Sequence, residues 1–339
     1  MKLSVWAAMK GQFNKLPPVA KADLAGQTVV VLGANTGLGF ESVKHFASMG
    51  AGRIILACRS QNKGQAALEK LKAETGYQKG EVWIIDLADF SSVKNFADKF
   101  EQDSGRLDLL VENAGVTKPK YEATKDGWET SIQVNSLATP LVALLLLPRM
   151  MQTAREYGTV PRIVVVTSEL HHWGSIPKEV LARGGALTTL GSSEYCTPKK
   201  MQTFYNVTKT LNIFFVRALN ARLGASTPLI VTAVNPGFCV SELRRDLPAP
   251  ISWIMALMER IMAFTTEEGS RQLVFGAVGP GALRGEYINQ SRVEEPSDFI
   301  ISSDGRKAED QLWDELIEIL GKVDRRVLAT VNEYLSASA

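Results

Sequence analysis

Tyr205 and Lys209 lie four positions apart on Thr203–Leu223, a segment whose apolar residues repeat with helical period. On a helix this spacing puts the phenol and the ammonium on one face. A free tyrosine has a pKa near 10, so acid–base chemistry near pH 7 requires about three units of depression, roughly 4 kcal/mol of charge stabilisation. A neighbouring lysine is a suitable source of that stabilisation. Because Tyr-x-x-x-Lys is also common by chance, its meaning depends on the residues around it.

Ser168 ends the apolar run Ile163–Thr167. At the carboxyl end of a strand its hydroxyl could hydrogen-bond a substrate carbonyl and hold it for hydride attack. A simple strand-end cap is the alternative, and without Tyr205 it would be the favoured one. Asn135, on a predicted helix earlier in the chain, is unremarkable by itself.

A glycine-rich turn follows the first predicted strand. Three glycines let the backbone turn tightly and approach a diphosphate, which then lies at the positive N-terminus of the next helix. Between a first strand and a first helix, this motif predicts a dinucleotide site rather than a plain structural turn. A helical pattern begins directly after the turn, which reads Gly33-Ala34-Asn35-Thr36-Gly37-Leu38-Gly39.

The end of the second predicted strand indicates which nucleotide binds. An NAD site has Asp or Glu about 20 residues after the glycine turn, where it binds the ribose 2′-hydroxyl. Here the stretch is Ile55–Ser60, and the first acid after it is Glu69. Arg59 offers a planar fork that suits a 2′-phosphate. The sequence therefore predicts NADP(H), with a surface arginine after a strand as the alternative.

Further polar residues end the third and fourth predicted strands. Asp86, followed by Leu87, ends the third, and Asn113-Ala114-Gly115 follows the fourth. In open α/β sheets ligands bind at this carboxyl edge, so both groups are expected near the adenine half of the cofactor. Asp86 serves equally well as a cap for the helix that follows it.

Strands and helices alternate along the chain, which predicts a single-domain α/β fold with a doubly wound parallel sheet and helices on both faces, the Rossmann fold, over residues 24–306. Several strands are continuous runs of Val, Ile and Leu, as in a sheet covered on both faces. The predicted strands are Thr28–Leu32, Arg53–Ala57, Val82–Ile85, Leu107–Val111, Arg162–Val166, Leu229–Val234 and Tyr287–Asn289, and the predicted helices are Phe40–Met49, Lys63–Glu74, Ser91–Gln102, Trp128–Met150 and Thr203–Leu223.

Four segments lie outside this alternation. Residues 1–23 are an N-terminal extension whose apolar residues suggest a weak amphipathic helix, packed on the domain rather than anchored in a membrane. Residues 171–202 form a long Gly/Ser/Thr-rich connection, residues 238–266 are apolar and Met-rich, and residues 307–339 form a charged helical tail. Long connections at one edge of such a sheet are where substrate loops usually lie.

Composition excludes several other classes of protein. A formal charge of +2 over 339 residues gives no reason to expect a nucleic-acid partner, and membrane association is not expected. Three scattered cysteines indicate reduced thiols and a cytoplasmic location. With three histidines and no cysteine cluster, no metal site is predicted.

Together these residues resemble the short-chain dehydrogenase/reductase family, over about residues 24–290, and most closely its retinol-dehydrogenase-like branch with its fungal relatives. The glycine turn and Asn113-Ala114-Gly115 match two of its motifs. Its segment beside the nicotinamide matches Asn235-Pro236-Gly237, with Ser241 where the family usually has Thr. Its catalytic tetrad matches Asn135, Ser168, Tyr205 and Lys209.

The resemblance implies a role for each of these residues. Tyr205 would exchange a proton with the substrate oxygen, and Lys209 would hold the nicotinamide ribose and depress the tyrosine pKa. Ser168 would orient the carbonyl, and Asn135 would support a water-linked proton relay. Residues 238–266 would form the substrate lid, although core packing or a dimer contact explains them equally well. Helices near 91–103 and 128–150 match those that many relatives use to form homodimers, which the C-terminal tail could block.

Two departures from the family pattern stand out. Glu112 occupies a position where the family often has asparagine. Residues 171–202 lengthen the usual distance between the catalytic serine and tyrosine, so this insertion should border the substrate pocket. His171, His172 and Trp173 open it. They either line the pocket or lie in a solvated loop, and we favour the loop.

The expected activity is the NADP(H)-dependent interconversion of a carbonyl and an alcohol on a lipophilic small molecule, in the direction of reduction. A catalytically silent NADP(H)-binding regulator is the alternative. Such a regulator would be expected to lack the catalytic tyrosine or lysine, and this sequence retains all four tetrad positions.

Overall fold

A central sheet organises the chain. The computed structural model describes residues 3–103, 105–241, 243 and 249–335. The sheet has eight strands in the order β3-β2-β1-β4-β5-β6-β7-β8. Strands β1 to β7 pair in parallel, and β8 pairs antiparallel to β7. The strands are β1 Thr28–Leu32, β2 Arg53–Cys58, β3 Gly80–Ile84, β4 Leu109–Glu112, β5 Arg162–Val166, β6 Ile230–Asn235, β7 Tyr287–Asn289 and β8 Arg292–Glu294.

Helices cover the sheet on both faces, which confirms the predicted α/β fold. The helices are α1 Val5–Gly11, α2 Gly37–Ser48, α3 Gln61–Thr75, α4 Phe90–Asp103, α5 Thr130–Ile132, α6 Thr139–Tyr157, α7 Lys178–Ala182, α8 Ala186–Leu190, α9 Pro198–Arg222, α10 Ala249–Met262, α11 Thr266–Val278, α12 Asp298–Ile301, α13 Ser303–Val323 and α14 Arg326–Tyr334. A π-helical segment, Gln133–Ala138, joins α5 to α6, and 3₁₀ turns span Glu169–Trp173 and Gly281–Leu283.

Two hydrophobic cores lie on opposite faces of the sheet. On β1, Val30 and Leu32 face the core under α4, α6 and α9, whereas Val29 and Val31 face the core under α2, α3 and α11. Successive side chains of a strand point to opposite faces, so a strand covered on both sides must be apolar throughout. This explains why all five residues of β1 are buried.

The predicted strands and helices agree with the structure to within a few residues, except at the end of α6. Helices α7, α8, α10, α11 and α12 were not predicted. The antiparallel strand β8 was not predicted, since Arg292–Glu294 is too short and polar to give a strand pattern. Helix α6 continues through Pro148 to Tyr157, beyond the predicted end. The helical stretch Thr130–Tyr157 is long and apolar enough to cross a membrane, but its most apolar window is entirely buried inside the protein.

Residues 171–202 contain regular structure of their own. They include most of the first 3₁₀ turn, the short helices α7 and α8 and the start of α9, and α8 packs against α13. Glu315 of α13 accepts a hydrogen bond from the Leu187 main chain, and Gln311 donates one to the Leu181 carbonyl. Helix α13 buries Leu312, Trp313, Leu316 and Leu320 against the domain, so the charged tail is an amphipathic helix.

Helix α14 covers the outer surface of α6, and Arg326 at its start forms an ion pair with Asp98 of α4. At the other end of the chain, Leu16 is buried with Cys239 and Phe264. Leu16 of the N-terminal segment therefore packs between the residue that follows Phe238 and the residue that precedes Thr265.

Candidate active site

A cleft of about 880 Å³ opens at the carboxyl edge of the sheet. Gly39 and Asn135 do not line it and lie behind its wall, where both are buried. The structure brings all the other predicted site residues to this one cleft: Gly33, Asn35, Thr36, Gly37, Leu38, Arg59, Asp86, Leu87, Asn113, Ala114, Gly115, Ser168, Tyr205, Lys209, Pro236, Gly237 and Ser241.

The glycine turn has the geometry that a close backbone approach requires. Gly33 and Gly37 have backbone φ angles of 74° and 59°, which residues other than glycine rarely adopt. A Cβ on Gly39 would lie 2.4 Å from the Gly33 carbonyl oxygen, so only glycine lets α2 start this close to the turn. Asn113 donates to the Leu32 carbonyl and thereby ties β4 to the turn. Gly37 and Leu38, at the start of α2, line the cleft, and the N-terminus of a helix favours anionic groups.

The cleft is lined by cationic side chains at the end of β2. Arg59 is exposed and lines the cleft together with Ser60 and Lys63. The Ser60 hydroxyl caps α3 by accepting a hydrogen bond from the Lys63 main chain. Lys63 was not identified from the sequence, because one lysine on an amphipathic helix carries no signal until the helix start is known to face the cleft.

Asp86 does not cap the following helix, which corrects one of the two roles considered for it. Its carboxylate accepts a hydrogen bond from the Ala88 main chain. At the start of α4, Asp89 accepts from the Ser91 main chain and Asp126 accepts from that of Phe90. Asp86 thus shapes the turn before the helix and remains on the wall of the cleft.

Lys209 lies at the base of the cleft and is only 3% exposed. Its Nζ donates a 2.7 Å hydrogen bond to the Val166 carbonyl and lies 5.5 Å from the centroid of the half-buried Tyr205 ring. Burial lowers the pKa of Lys209 to about 7. A Cβ on Gly115 would lie 3.7 Å from Nζ, so the absence of a side chain there leaves room beside the ammonium.

Ser168 and Asn135 are held by specific hydrogen bonds. The Ser168 hydroxyl accepts a hydrogen bond from the Leu170 main chain and so caps the 3₁₀ turn that follows, which leaves its O–H proton to donate elsewhere. Asn135 lies in the π-helical segment, and its amide both accepts from the Val116 main-chain N–H and donates to the Val116 carbonyl. Single π-helical turns within α-helices occur frequently at functional sites.

The segment after β6 is supported from the N-terminal residues. Gln12, only 8% exposed, accepts a hydrogen bond from the Phe238 main chain and donates one to Glu169. Gly237 has φ of 83°, and a Cβ there would lie 2.8 Å from the Phe264 ring. Residues 236–238 are therefore held between the N-terminal segment and the start of α11. Sequence reasoning did not identify Gln12, which lies outside every motif.

Two acidic residues near the site have raised pKa values. Glu169, half-buried on the cleft wall beside Ser168, has its pKa raised to about 7 by burial and by the negative charge of Glu294. Glu112 is 2% exposed at the end of β4, and burial raises its pKa well above the usual range. Neither carboxyl oxygen of Glu112 has a hydrogen-bond partner among the described residues.

The three residues that open the insertion differ in their exposure to solvent. His171 is fully buried and His172 is half-buried, whereas Trp173 is 38% exposed. None of the three lines the cleft. The expectation of solvated positions is therefore wrong for His171, because the 3₁₀ turn directs its ring inward, onto Tyr287.

The chain is similar in sequence to known dehydrogenases. A family model described as short chain dehydrogenase matches residues 27–180. A short chain dehydrogenase/reductase of Cryptosporiopsis sp. is 33% identical over 92% of this chain and 96% of its own. A short-chain dehydrogenase of Penicillium roqueforti is 32% identical over 94% and 84%, and one of Emericella nidulans is 36% identical over 82% and 88%.

Solved structures share the fold. An uncharacterised protein of Mycobacterium paratuberculosis superposes with a TM-score of 0.65 at 27% identity, over 89% of this chain and 98% of its own. A short chain oxidoreductase of Pseudomonas aeruginosa, solved with NADPH bound and described as having an atypical catalytic center, has a TM-score of 0.59 at 20% identity, with 78% and 95% covered.

Proposed function

The chain belongs to the short-chain dehydrogenase/reductase family, and on that premise we propose that it is an NADP(H)-dependent oxidoreductase that reduces the carbonyl group of a lipophilic small molecule. The observation that carries the proposal is the position of Lys209, buried at the base of the cleft beside the Tyr205 ring. A buried ammonium beside a phenol favours the phenolate, which is what a tyrosine needs to act as acid and base near neutral pH.

The residues of the cleft divide into two groups along its length. The glycine turn and the start of α2 would hold the diphosphate, and Arg59 with Lys63 would hold a 2′-phosphate. Lys209 and the Asn113–Gly115 segment would hold the ribose next to the nicotinamide, and residues 236–238 and Ser241 would border its ring. When bound, the nicotinamide supplies the hydride that the carbonyl carbon accepts.

Three side chains of the cleft would act on the substrate oxygen or on the proton it receives. The Ser168 O–H would donate to the carbonyl oxygen and hold it in place. Tyr205 would then pass its proton to that oxygen as charge develops there, and Lys209 would lower the free energy of the phenolate that remains. Asn135 would fix residues 115–117 through its two hydrogen bonds to Val116.

Apolar side chains near the catalytic end suggest a lipophilic substrate. Leu170, Phe238 and Leu243 line the cleft there. Helix α10 in the proposed lid region exposes Trp253, Ile254, Leu257 and Ile261. Apolar lining with a few polar groups at one point is typical of small-molecule sites, in which the polar groups fix the orientation.

The test is Tyr205→Phe, measured as NADPH oxidation with a panel of apolar ketones, aldehydes and polyketide- or terpene-like carbonyls. We expect a loss of turnover of about 10²- to 10⁴-fold, the contribution typical of general acid catalysis, with NADPH binding by fluorescence preserved. Turnover by Tyr205→Phe within a few-fold of the parent would rule out the mechanism. If the parent enzyme oxidises NADH faster than NADPH, the cofactor assignment is wrong.

A further inference from the structure

His171 lies in the turn that carries Ser168, but it faces away from the cleft. Its side chain is completely buried. Its Nδ1 lies 2.7 Å from the Ser168 carbonyl oxygen, and its Nε2 lies 3.2 Å from the main-chain nitrogen of Ser297. Ser297 immediately precedes α12, far along the chain. The imidazole is therefore a bridge between the catalytic turn and the segment that follows β8.

The two partners determine which nitrogen carries the proton. The Ser297 N–H can only donate, so Nε2 must accept, and the Ser168 carbonyl can only accept, so Nδ1 must donate. Burial, followed by the proximity of His172, lowers the pKa of His171 to about 3, which keeps the ring neutral at physiological pH. A charged ring would have to donate from both nitrogens and would lose the Ser297 bond.

Other contacts hold the ring and its main chain. The ring packs edge-on against Tyr287, with centroids 4.7 Å apart. The His171 carbonyl accepts hydrogen bonds from the Gly174 main chain and from the Thr210 hydroxyl of α9. Thr210 is the neighbour of Lys209, so His171 contacts both elements that carry catalytic groups.

We propose that His171 is a positioning residue for Ser168: its Nδ1–H hydrogen bond to the Ser168 carbonyl fixes the backbone from which the catalytic hydroxyl is directed at the substrate, while Ser297 and Tyr287 hold the ring in place. The Ser168 hydroxyl accepts from the Leu170 main chain, one residue before His171. Loss of the imidazole bond frees the turn and with it the direction of the O–H. Misplacement of a reacting group by about 1 Å can cost 10²-fold in rate, so the effect falls on kcat.

The first test compares two conservative variants. His171→Asn places an amide N–H near the position of Nδ1 and keeps the donor to Ser168, whereas the longer His171→Gln reaches toward Ser297 and loses that donor. We expect kcat of the Asn variant within about fivefold of the parent and kcat of the Gln variant reduced by about 10- to 100-fold, with the dissociation constant of NADPH unchanged for both. If the Gln variant is as active as the Asn variant, the proposal is overturned.

His172→Phe is the matched control. Its ring is the neighbour of His171, yet its Nδ1 has no hydrogen-bond partner among the described residues. We expect it to retain the parent kcat. A loss of kcat in this control equal to that of His171→Gln would show that any disturbance of the turn has the same effect, which would contradict a specific role for His171.

The second test is a double-mutant cycle with Ser168→Ala, because the inference rests on the catalytic role proposed for Ser168. If His171 acts through Ser168, His171→Gln should reduce kcat little further once the hydroxyl is gone. An equal reduction in both backgrounds overturns the inference. Full turnover by Ser168→Ala alone would instead overturn the role of Ser168 in the proposed function, so the two failures are distinguishable. Each kcat is measured with the panel carbonyl that the parent reduces fastest.

Discussion

Lys209 Nζ lies 5.5 Å from the centroid of the Tyr205 ring and is fixed there by its hydrogen bond to the Val166 carbonyl. The two residues therefore meet as their four-residue spacing on one helix predicts. The structure adds what the spacing cannot: the ammonium is almost completely buried, and its pKa falls to about 7. Small changes in its surroundings can then change its charge near neutral pH.

NADPH binding should depend on pH through Lys209. In the free enzyme its proton is lost as pH rises through about 7, whereas bound cofactor, with its phosphates and ribose hydroxyls, favours the charged form. Binding is then accompanied by proton uptake, and affinity should fall with rising pH above about 7. NADPH dissociation constants from fluorescence between pH 6 and 9 measure this. Lys209→Met should bind NADPH more weakly, with a dissociation constant that depends less on pH. The Tyr205→Phe control should show the same pH dependence of the dissociation constant as the parent.

Arg59 should select NADPH over NADH. Arg59→Ala removes a charge-assisted hydrogen bond to the 2′-phosphate, worth about 1.5–3 kcal/mol, so KM for NADPH should rise about 10- to 100-fold while NADH kinetics change little. Lys63→Ala should act in the same direction more weakly, because a lysine offers a point charge rather than a fork.

Lys72→Ala is the matched control for that change. Lys72 lies on the same helix as Lys63 but pairs with Glu69 and does not line the cleft. It should leave both KM values unchanged. An equal rise in KM for NADH and NADPH in Arg59→Ala would contradict recognition of the 2′-phosphate.

Glu169 should limit turnover at high pH. Its pKa of about 7 means that it is protonated below that pH and negative above it, next to Ser168, which we propose holds the developing oxyanion. Negative charge there opposes the reaction, so kcat/KM for the carbonyl at saturating NADPH should fall as pH rises through about 7. Glu169→Gln should remove this fall of kcat/KM at high pH.

Glu294→Gln is an independent check, since the Glu294 charge contributes to the raised pKa of Glu169. Without the Glu294 charge, the fall of kcat/KM should begin at a lower pH but should still occur. Gln12 and Tyr287 also lie close to Glu169. The amide of Gln12 does not titrate, and burial raises the pKa of the Tyr287 phenol well above its usual value, so neither changes charge near pH 7. If kcat/KM of Glu169→Gln falls with pH as it does in the parent, the fall is due to another group.

The sequence predicted residues whose position follows from a repeating pattern. Strand ends of a parallel sheet share one edge, so the sequence alone places Asn113, Ser168 and Gly237 together. Gln12, Lys63 and His171 could not, because their roles depend on contacts between segments far apart in the chain. For His171 the partner is Ser297, in a region with no motif to indicate it. Contacts of this kind are set by tertiary packing and leave no local signal.

Glu112 should lower the stability of the fold, increasingly so as pH rises. Its carboxyl is buried without a hydrogen-bond partner among the described residues, and burial raises its pKa well above the usual value. In the unfolded chain it ionises near pH 4.3, whereas in the folded chain it keeps its proton. Above pH 4.3 the folded state therefore binds more protons, and the free energy of unfolding falls with pH by up to about 1.4 kcal/mol per unit.

Glu112→Gln has nearly the same shape and cannot ionise, so it removes this dependence. Its free energy of unfolding in urea should be close to that of the parent at pH 5 and higher by about 1–3 kcal/mol at pH 7.5. The exposed Glu194→Gln is the matched control and should show the same difference from the parent at both values. If the advantage of Glu112→Gln is equal at pH 5 and 7.5, the carboxyl is not held neutral in the fold. An advantage that grows with pH would identify Glu112 as a buried acid whose presence makes the protein less stable.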